Sequence, residues 1–411
     1  MPATDLNLRH LRAFMRVCEF GSLNRAAAEL NVSQPSLSVA LAGIEERFEA
    51  ILLTRYAAGS QPTTAGEVLL VRLRRMENQL SSALGQALGS SSQRDPTIIA
   101  KSLARVTFRQ IEALITLAGS GSITQAARSG GTSAAALHRS LHDLQANIGR
   151  AILVRSASGV APNALGRRLA TRWQIALTEL EQAVDELREI EGRMEGRIKI
   201  ASLPLARTLL LARAVNQLLM AHPSARVEVM DGSYELLSQQ LRIGTSDILI
   251  GALRSGNDLG GLRTETLFED PYAIVGRPGH PLLTSSSGAT LDQLARQEWV
   301  AQRPGTPIRA AFDALFEGSG TPPSASIETS SLVLTRAIIL ESDRLSMLSR
   351  RQIAIEEREN LLSCVPVTKE VQSRLGSRTI GITMRENWLP SRLQATFLEC
   401  IRDAAANLAS I

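Results

Sequence analysis

The first half of the chain places apolar residues at the three- and four-residue intervals of amphipathic helices. The earliest stripe consists of Leu8, Leu11, Phe14, Met15 and Cys18. Glycine readily ends a helix and serine is a favoured N-cap, so Gly21 and Ser22 predict one helix end followed at once by a helix start. The pattern therefore predicts short helices around a small core.

The next two helices are predicted to form a helix-turn-helix. Their inward-facing residues are Leu23, Ala26, Ala27, Leu30, Leu37, Leu41 and Ile44. Ser33 is suited to cap the third helix, and Pro35 lies in its first turn, where the missing N–H costs nothing. The side chains left at its exposed N-terminal end are Gln34, Ser36, Ser38 and Val39. Three-helix units also serve as packing modules, but this polar, capped tip favours contact with base edges in a major groove.

A two-stranded wing is predicted after the third helix. Residues 51–55 form an apolar run that ends at Arg55, and Gly59 and Thr63 follow it. Arg55 at the base of this wing is a candidate phosphate contact.

The same domain occurs twice. Residues 20–55 align without gaps on residues 120–155, and the glycines and prolines at 59, 62 and 66 match those at 159, 162 and 166. In the second copy, Gly130–Gly131 replaces a leucine and an asparagine, and Ala134–Ala136 replaces Gln-Pro-Ser. The remaining candidate DNA contacts are His138, Arg139 and Arg155. Two interpretations stay open: a weak or non-specific DNA contact, or a structural copy that binds no DNA.

Two helical stretches flank the second copy. Residues 64–88 have a helical pattern that the polar segment 89–96 interrupts as a flexible linker. Residues 165–191 form a long helix with one apolar stripe, which predicts a coiled-coil dimerisation helix. The alternative is that this stripe packs against the chain's own domains.

From Gly196 onward, strands alternate with helices. Strands are predicted at 197–202, 225–231, 247–253 and 379–384, with helices ending near Ala221, spanning 234–242 and beginning near Pro390. This alternation predicts a parallel α/β sheet covered on both faces, with ligands at the carboxyl ends of the strands. The layout indicates two subdomains, joined by two crossovers, with a cleft between them.

Composition and charge limit the class of protein. The chain has 411 residues, 44% hydrophobic and 21% charged, and a net charge of +5, which fits a folded protein of several domains that binds DNA. The three cysteines are widely spaced, no leader segment or membrane-spanning stretch is evident, and we expect a cytoplasmic protein.

An enzyme is not indicated. The five histidines lack metal-ligand spacing, and no phosphate loop, dinucleotide motif or nucleophile elbow occurs, so we expect no catalytic residue, metal or cofactor.

The motif GSLNRAAAELNVSQPSLSVALAGIEERF, followed by LLTR and TTAGE, resembles the DNA-binding signature of the LysR-type transcriptional regulators. GRIKIAS, DILIGAL and RPGHPL resemble the effector-binding domain of that family, nearest to a galactose or aromatic-acid subgroup. The resemblance covers the chain except that the family normally has one helix-turn-helix and this chain has two. It implies all-α winged helix-turn-helix units, a linker helix and an α/β effector domain like a periplasmic binding protein.

The expected domains follow from this resemblance and the repeat. They are a winged helix-turn-helix at 6–64, a helix and linker at 65–104, a second winged helix-turn-helix at 105–164, a dimerisation helix at 165–195 and an effector domain at 196–411. The effector domain divides into subdomain I at 196–266 and 368–411 and subdomain II at 267–367.

The implied function is sequence-specific regulation of transcription under the control of a small molecule, as a homodimer or homotetramer without membrane contact. The candidate DNA contacts are Ser22, Ser33, Gln34, Pro35, Ser36, Ser38, Val39, Arg55, His138, Arg139 and Arg155. The candidate effector contacts are Ser202, Leu203, Ser233, Arg303, Thr306, Thr329 and Ser330. The effector is expected to be a sugar or an organic or aromatic acid. The alternatives are a cytoplasmic solute-binding protein without DNA recognition and a regulator that acts through protein contacts.

Overall fold

A computed structural model describes residues 6–56, 59–88, 95–156, 159–190, 196–203, 209–254, 259–318 and 323–409. The chain divides into two compact units, Met1–Gly196 and Arg197–Ile411. Most of the predicted linker 89–96 and the last residue of the helix predicted at 165–191 lie outside the described residues.

The first copy of the repeat has the predicted three helices and wing. Its elements are α1 (Leu8–Phe20), α2 (Leu23–Glu29), α3 (Gln34–Phe48), β1 (Leu53–Tyr56), β2 (Gly59–Pro62) and the long helix α4 (Thr64–Leu88). Gly21 ends α1 with a φ of 62°, and Ser22 caps α2, as the sequence predicts. The predicted inward residues Leu37, Leu41 and Ile44 are buried on α3.

The second copy repeats this order after a short extra helix. Its elements are α5 (Pro96–Leu103), α6 (Phe108–Ser120), α7 (Ile123–Ser129), α8 (Ala134–Ile148), β3 (Leu153–Ser156), β4 (Gly159–Pro162) and α9 (Ala164–Ile190). Helix α5 begins where the predicted linker 89–96 ends, with Asp95 as its N-cap and Pro96 in its first position.

Helices α4 and α9 pack against each other inside the first unit. Trp173 of α9 is fully buried, and its Nε1 donates to the carbonyl of Leu80 on α4 over 3.3 Å. Both copies and both long helices share one continuous apolar core. The apolar stripe predicted for dimerisation is therefore occupied within the chain, which was the alternative left open by the sequence.

The second unit contains a seven-stranded sheet with helices on both faces. Its strands and helices are β5 (Arg197–Ser202), α10 (Leu209–Ala221), β6 (Arg226–Asp231), α11 (Tyr234–Ile243), β7 (Ile248–Ala252), β8 (Leu262–Gly276), α12 (Leu291–Ala295), β9 (Glu298–Ala301), α13 (Pro307–Leu315), β10 (Ser324–Glu328), α14 (Leu332–Leu340), β11 (Ser346–Ser349), α15 (Ala354–Arg358), β12 (Ser363–Cys364), α16 (Lys369–Leu375), β13 (Ser377–Arg385) and α17 (Arg392–Ala409). A 3-10 turn spans Pro281–Thr284.

The strand order is β11-β8-β13-β7-β5-β6, with β12 paired to β8. Strands β5, β6 and β7 are parallel, as predicted. The prediction of a parallel sheet is wrong for the rest, because β13 runs antiparallel to both β7 and β8, and β11 runs antiparallel to β8. Alternating residues of β5 and β7 pack below α10 and α17 on one face and against α11 on the other.

Strands β8 and β13 form the two crossovers between subdomains. The outer part of β8 carries β11 and β12, and a separate parallel pair, β9 and β10, lies beside them. Trp299, Phe312 and Phe316 form edge-to-face aromatic contacts in the core of subdomain II. Val371 and Leu375 of α16 belong to this core. The chain therefore returns to subdomain I along β13, after the boundary predicted at residue 368.

Candidate nucleic-acid interface and ligand cavity

The N-terminal tip of α3 is exposed. Ser33 Oγ accepts from the backbone N–H of Ser36 over 3.2 Å, which satisfies a free donor of the first turn. Gln34 is exposed, and its Nε2 donates to Ser38 Oγ over 3.1 Å. Val39 is 73% exposed, although it is an apolar residue on a helix. The tip thus presents amide, hydroxyl and methyl groups to the solvent.

The wing is held beside this tip by the body of the domain. Glu45 Oε1 on α3 accepts from the backbone N–H groups of Leu52 and Leu53, at 2.8 and 3.2 Å. Arg55 on β1 is exposed and has no ion pair within the described part of the chain. Ser22 is half-buried, and its hydroxyl caps α2 by accepting from Arg25 N–H.

The second copy keeps this framework. Ser133 caps α8 as Ser33 caps α3, and Gln145 Oε1 accepts from the N–H groups of Ile152 and Leu153 in the place of Glu45. Gly130 and Gly131 do not shorten α7, which has 7 residues like α2.

The tip of α8 differs in chemistry from the tip of α3. Ala134, Ala135 and Ala136 are exposed there and offer no polar side chain. His138, Arg139 and Arg155 are also exposed, so cationic donors remain on this surface. The second copy therefore retains the shape of a DNA-binding domain while its capacity for base-specific hydrogen bonds is reduced.

Gly130 lines a surface groove of about 550 Å³ between α6, α7 and α8. In the first copy, Leu30 packs against the core at the equivalent position.

The second unit contains a cavity of about 390 Å³ between its two subdomains. Five of the seven predicted effector contacts line it: Leu203, Ser233, Arg303, Thr306 and Ser330. Ser202 is fully buried behind the cavity, where its hydroxyl lies 3.4 Å from the carbonyl of Leu203. Thr329 Oγ1 accepts from Ser331 N–H and supports the turn below Ser330.

Several lining residues were missed from the sequence. Arg254 lies 5.0 Å from the ring of Tyr234, and its Nη2 donates to Gly305 O over 3.1 Å. Arg378 is buried and pairs with Asp270 over 2.9 Å. Gln302 is 3% exposed, and its Nε2 has no hydrogen-bond partner among the described residues. An arginine two residues after a buried strand was a usable signal for Arg254, whereas Arg378 faces the cavity only because β13 crosses between subdomains.

Three helices begin at the rim of the cavity. Ser233 caps α11, Thr306 caps α13, and Ser331, next to the lining Ser330, caps α14. The positive ends of three helix dipoles therefore point toward one space.

Carboxylates are also present at the rim, at Asp231 and Glu235. A hydrogen bond with its own backbone N–H, followed by one with the Ser233 hydroxyl, holds the pKa of Glu235 below its ordinary value. Arg254 lowers this pKa further by its charge, so Glu235 is ionised at neutral pH and faces that guanidinium.

The cysteines lie away from both sites. Burial raises the pKa of the Cys18 and Cys364 thiols to about 11, which keeps them protonated at neutral pH. Within the described ranges, no three His, Cys, Asp or Glu side chains are placed to hold a metal ion, and no helix there is long and apolar enough to cross a membrane.

Family models match nearly the whole chain. The model described as a bacterial regulatory helix-turn-helix protein of the lysR family matches twice, at residues 8–67 and 108–167. The model described as the LysR substrate binding domain matches residues 191–406. The two helix-turn-helix matches coincide with the two copies of the repeat.

Curated relatives carry regulator names. The transcriptional regulator GalR of Pseudomonas putida is 30% identical over 96% of both chains. The regulator PcaQ of Agrobacterium fabrum is 25% identical over 74% of this chain and 96% of its own. The alignment with GalR thus includes the additional helix-turn-helix, whereas PcaQ is a shorter protein.

Solved structures share the fold. A full-length variant of OxyR from Pseudomonas aeruginosa superposes with a TM-score of 0.53 at 20% identity, over 72% of this chain and 93% of that one. ArgP from Mycobacterium tuberculosis superposes with a TM-score of 0.55 at 16% identity, over 72% and 96%.

Proposed function

We propose, from the premise that the chain belongs to the LysR family of transcriptional regulators, that α3 reads the operator and that the cavity of the second unit binds an organic acid. The chain is a DNA-binding transcription regulator with a substrate-binding domain for a small-molecule effector, and its family consists of regulators and not enzymes. The operator contacts and the class of effector are the new assignments.

The exposed tip of α3 carries the first assignment. Gln34 has the two-sided hydrogen-bonding amide that suits adenine, and the exposed Val39 suits contact with a thymine methyl group. Ser33, Ser36 and Ser38 add hydroxyls beside them, with Pro35 fixing the first turn. Ser22 and Arg55 are assigned to the phosphate backbone, which positions the helix without reading sequence.

The convergence of three helix N-termini on the cavity carries the second assignment. A carboxylate placed there would be stabilised by the helix dipoles and by a hydroxyl donor at Ser330. Arg254 and Arg303 supply positive charge, and the unpartnered amide N–H of Gln302 supplies a buried donor. The apolar residues Leu203, Pro304 and Ile308 complete walls that suit a hydrocarbon skeleton or a ring.

Binding of this acid would favour a closed cleft, since it contacts both subdomains. The effector shifts the equilibrium only by the difference between its affinities for the closed and open forms. Strands β8 and β13 are the two connections about which closure would occur.

The test measures binding to the full chain by calorimetry, with benzoate-type acids, their neutral amides and simple sugars as probes. We expect acids to bind and amides to bind weakly. Arg254→Met should weaken acid binding roughly 10- to 100-fold, the effect of losing a hydrogen bond to a charged group. Arg392→Met, which changes an exposed arginine of α17 away from the cavity, is the matched control. Preferential binding of sugars, or equal loss in both variants, would refute the acid assignment.

We further propose that the regulator acts in the cytoplasm as a homodimer formed by its second unit. β6 is an edge strand of the sheet, with Val229 47% exposed, and Met220 on the neighbouring α10 is 85% exposed. An open sheet edge with exposed apolar side chains is suited to pairing with a second copy.

A further inference from the structure

The equivalent long helices of the two repeat copies pair with each other in an antiparallel arrangement. Arg72 of α4 contacts Gln182 of α9 over 2.7 Å, Arg75 contacts Glu179 over 2.9 Å, and Leu80 contacts Trp173. The partners step backward along α9 as they step forward along α4. When a residue of α4 contacts a residue of α9, the two residues at the equivalent positions of the opposite helices also lie across from each other. This is the relation found in a twofold-symmetric dimer.

Each DNA-binding domain is attached to its own long helix in the same way. Thr63 Oγ1 donates to Ile51 O and accepts from Gly66 N–H, and Asn163 makes the matching bonds to Ala151 O and Gly166 N–H. A side chain at Gly66 or at Gly166 would collide with the carbonyl of the residue just before the wing, Leu52 or Ile152. Because the attachments match, the approximate twofold relation of α4 and α9 extends to α3 and α8.

Charge makes the pairing specific for α4 with α9. Arg72 is 1% exposed and binds Glu179 and Glu186 at 2.9 and 2.6 Å. If α4 paired with α4 of a second chain, the same positions would carry Gln79, Ser82 and Gln86, and two buried guanidinium groups would lack a carboxylate. Pairing of α9 with α9 would leave both α4 helices without a partner.

Residues on both sides of the connection between the copies contact the opposite copy or its own connection. Arg12 of the first copy donates to Leu103 O over 2.8 Å. Asn147 and Arg150 of the second copy donate to Arg105 O and Leu88 O, at 3.0 and 2.9 Å.

We propose that one chain is a complete two-headed DNA-binding unit that engages two inverted half-sites of a single duplex. The α3 head reads one half-site through base edges, and the α8 head holds the other through phosphates. This proposal rests on the proposed reading role of α3. It adds that one chain binds an operator of which only one half-site has a defined sequence. The cationic contacts on the second half-site come from His138, Arg139 and Arg155.

The first experiment selects binding sequences for the full chain from a random duplex library. We expect each informative half-site to have a degenerate neighbour about one helical turn away, roughly 10 base pairs, and hydroxyl-radical footprinting of the selected DNA should show protection of both. A neighbour at that spacing with equal information, or protection of the informative half-site alone, would refute the two-headed unit. No enriched sequence at all would refute the reading role of α3, and with it this inference.

A graft tests the geometry directly. The combined changes Ala134→Gln, Ala135→Pro, Ala136→Ser, His138→Ser and Arg139→Val give α8 the tip of α3. The selected motif should then become an inverted repeat of the original half-site. A motif that stays unchanged, or that becomes a direct repeat, would contradict the twofold relation.

Cross-linking tests the pairing independently of DNA. Ser82 and Arg172 are exposed; Ser82 lies two residues after Leu80, and Arg172 directly precedes its contact Trp173. The full chain with Ser82→Cys and Arg172→Cys, treated with a short bismaleimide, should yield a product with the mass of one chain. Each single variant is the control for the native cysteines. A product with the mass of two chains, or no product beyond the controls, would overturn the intramolecular pairing.

Discussion

At the scale of single residues, the two repeat copies show how one scaffold carries different chemistry. Ser33 and Ser133 both cap their helices, and Glu45 and Gln145 both hold a wing strand. These matched contacts fix the backbone. The copies differ in the exposed side chains at the helix tip, and we propose that these side chains decide whether bases are contacted.

Gln34→Ala should therefore reduce specific DNA binding by roughly 1–3 kcal/mol, the discrimination that a bidentate base contact provides. Binding to non-specific DNA should stay unchanged, because the phosphate contacts remain. Gel shifts with the selected operator and with scrambled DNA, at several salt concentrations, measure both effects. Gln372→Ala, an exposed glutamine of α16 in the second unit, is the matched control, and an equal loss in that variant would contradict the role of Gln34.

At the scale of elements, the contact between α4 and α9 depends on one buried cluster. Burial lowers the pKa of Arg72, but hydrogen bonds and charges from Glu186 and Glu179 outweigh this and raise the pKa above its ordinary value. Arg72 is thus charged, and its hydrogen bonds join it to Glu179, Gln182 and Glu186 of α9. The equivalent Arg172 is exposed on α9, so the two ends of the helix pair are not alike.

Arg72→Met should destabilise the full chain by about 1–3 kcal/mol, because the buried Glu179 would lose one of its two arginine partners and keep only Arg75. The free energy of unfolding in urea, followed by helical circular dichroism, measures the change. Arg172→Met should alter it by less than about 0.5 kcal/mol, as expected for an exposed position. Similar losses in the two variants would show that the cluster does not hold the helices together.

At the scale of the whole molecule, each unit has its own core and its own site. Under the two proposals above, the first unit supplies a pair of DNA-binding heads and the second unit joins the chains. Two chains that associate through β6 and α10 would bring four heads together, two of them with the polar tip of α3.

Val229→Asp combined with Met220→Asp should weaken self-association by placing charge on the exposed sheet edge and helix. Sedimentation equilibrium of the full chain should show a shift from dimer toward monomer. The selected half-site should be the same, since both changes lie outside the first unit. A dimer of unchanged stability would show that another surface joins the chains.

The order of residues was enough to predict the repeat, the helix-turn-helix units, the family and five of the residues that line the cavity. These features are local, because caps, turn glycines and helical spacing act over a few residues and leave a clear pattern. The tips of α3 and α8 could be compared directly for the same reason.

The three-dimensional fold was needed to establish which surface the long helix 164–190 contacts, how β8 and β13 are oriented and which arginines reach the cavity. An apolar stripe has the same pattern whether it packs on its own chain or on another, and an isolated strand pattern does not specify its direction. Arg72 shows the reason most clearly: its partners lie more than one hundred residues away, and the fold alone brings those charges together.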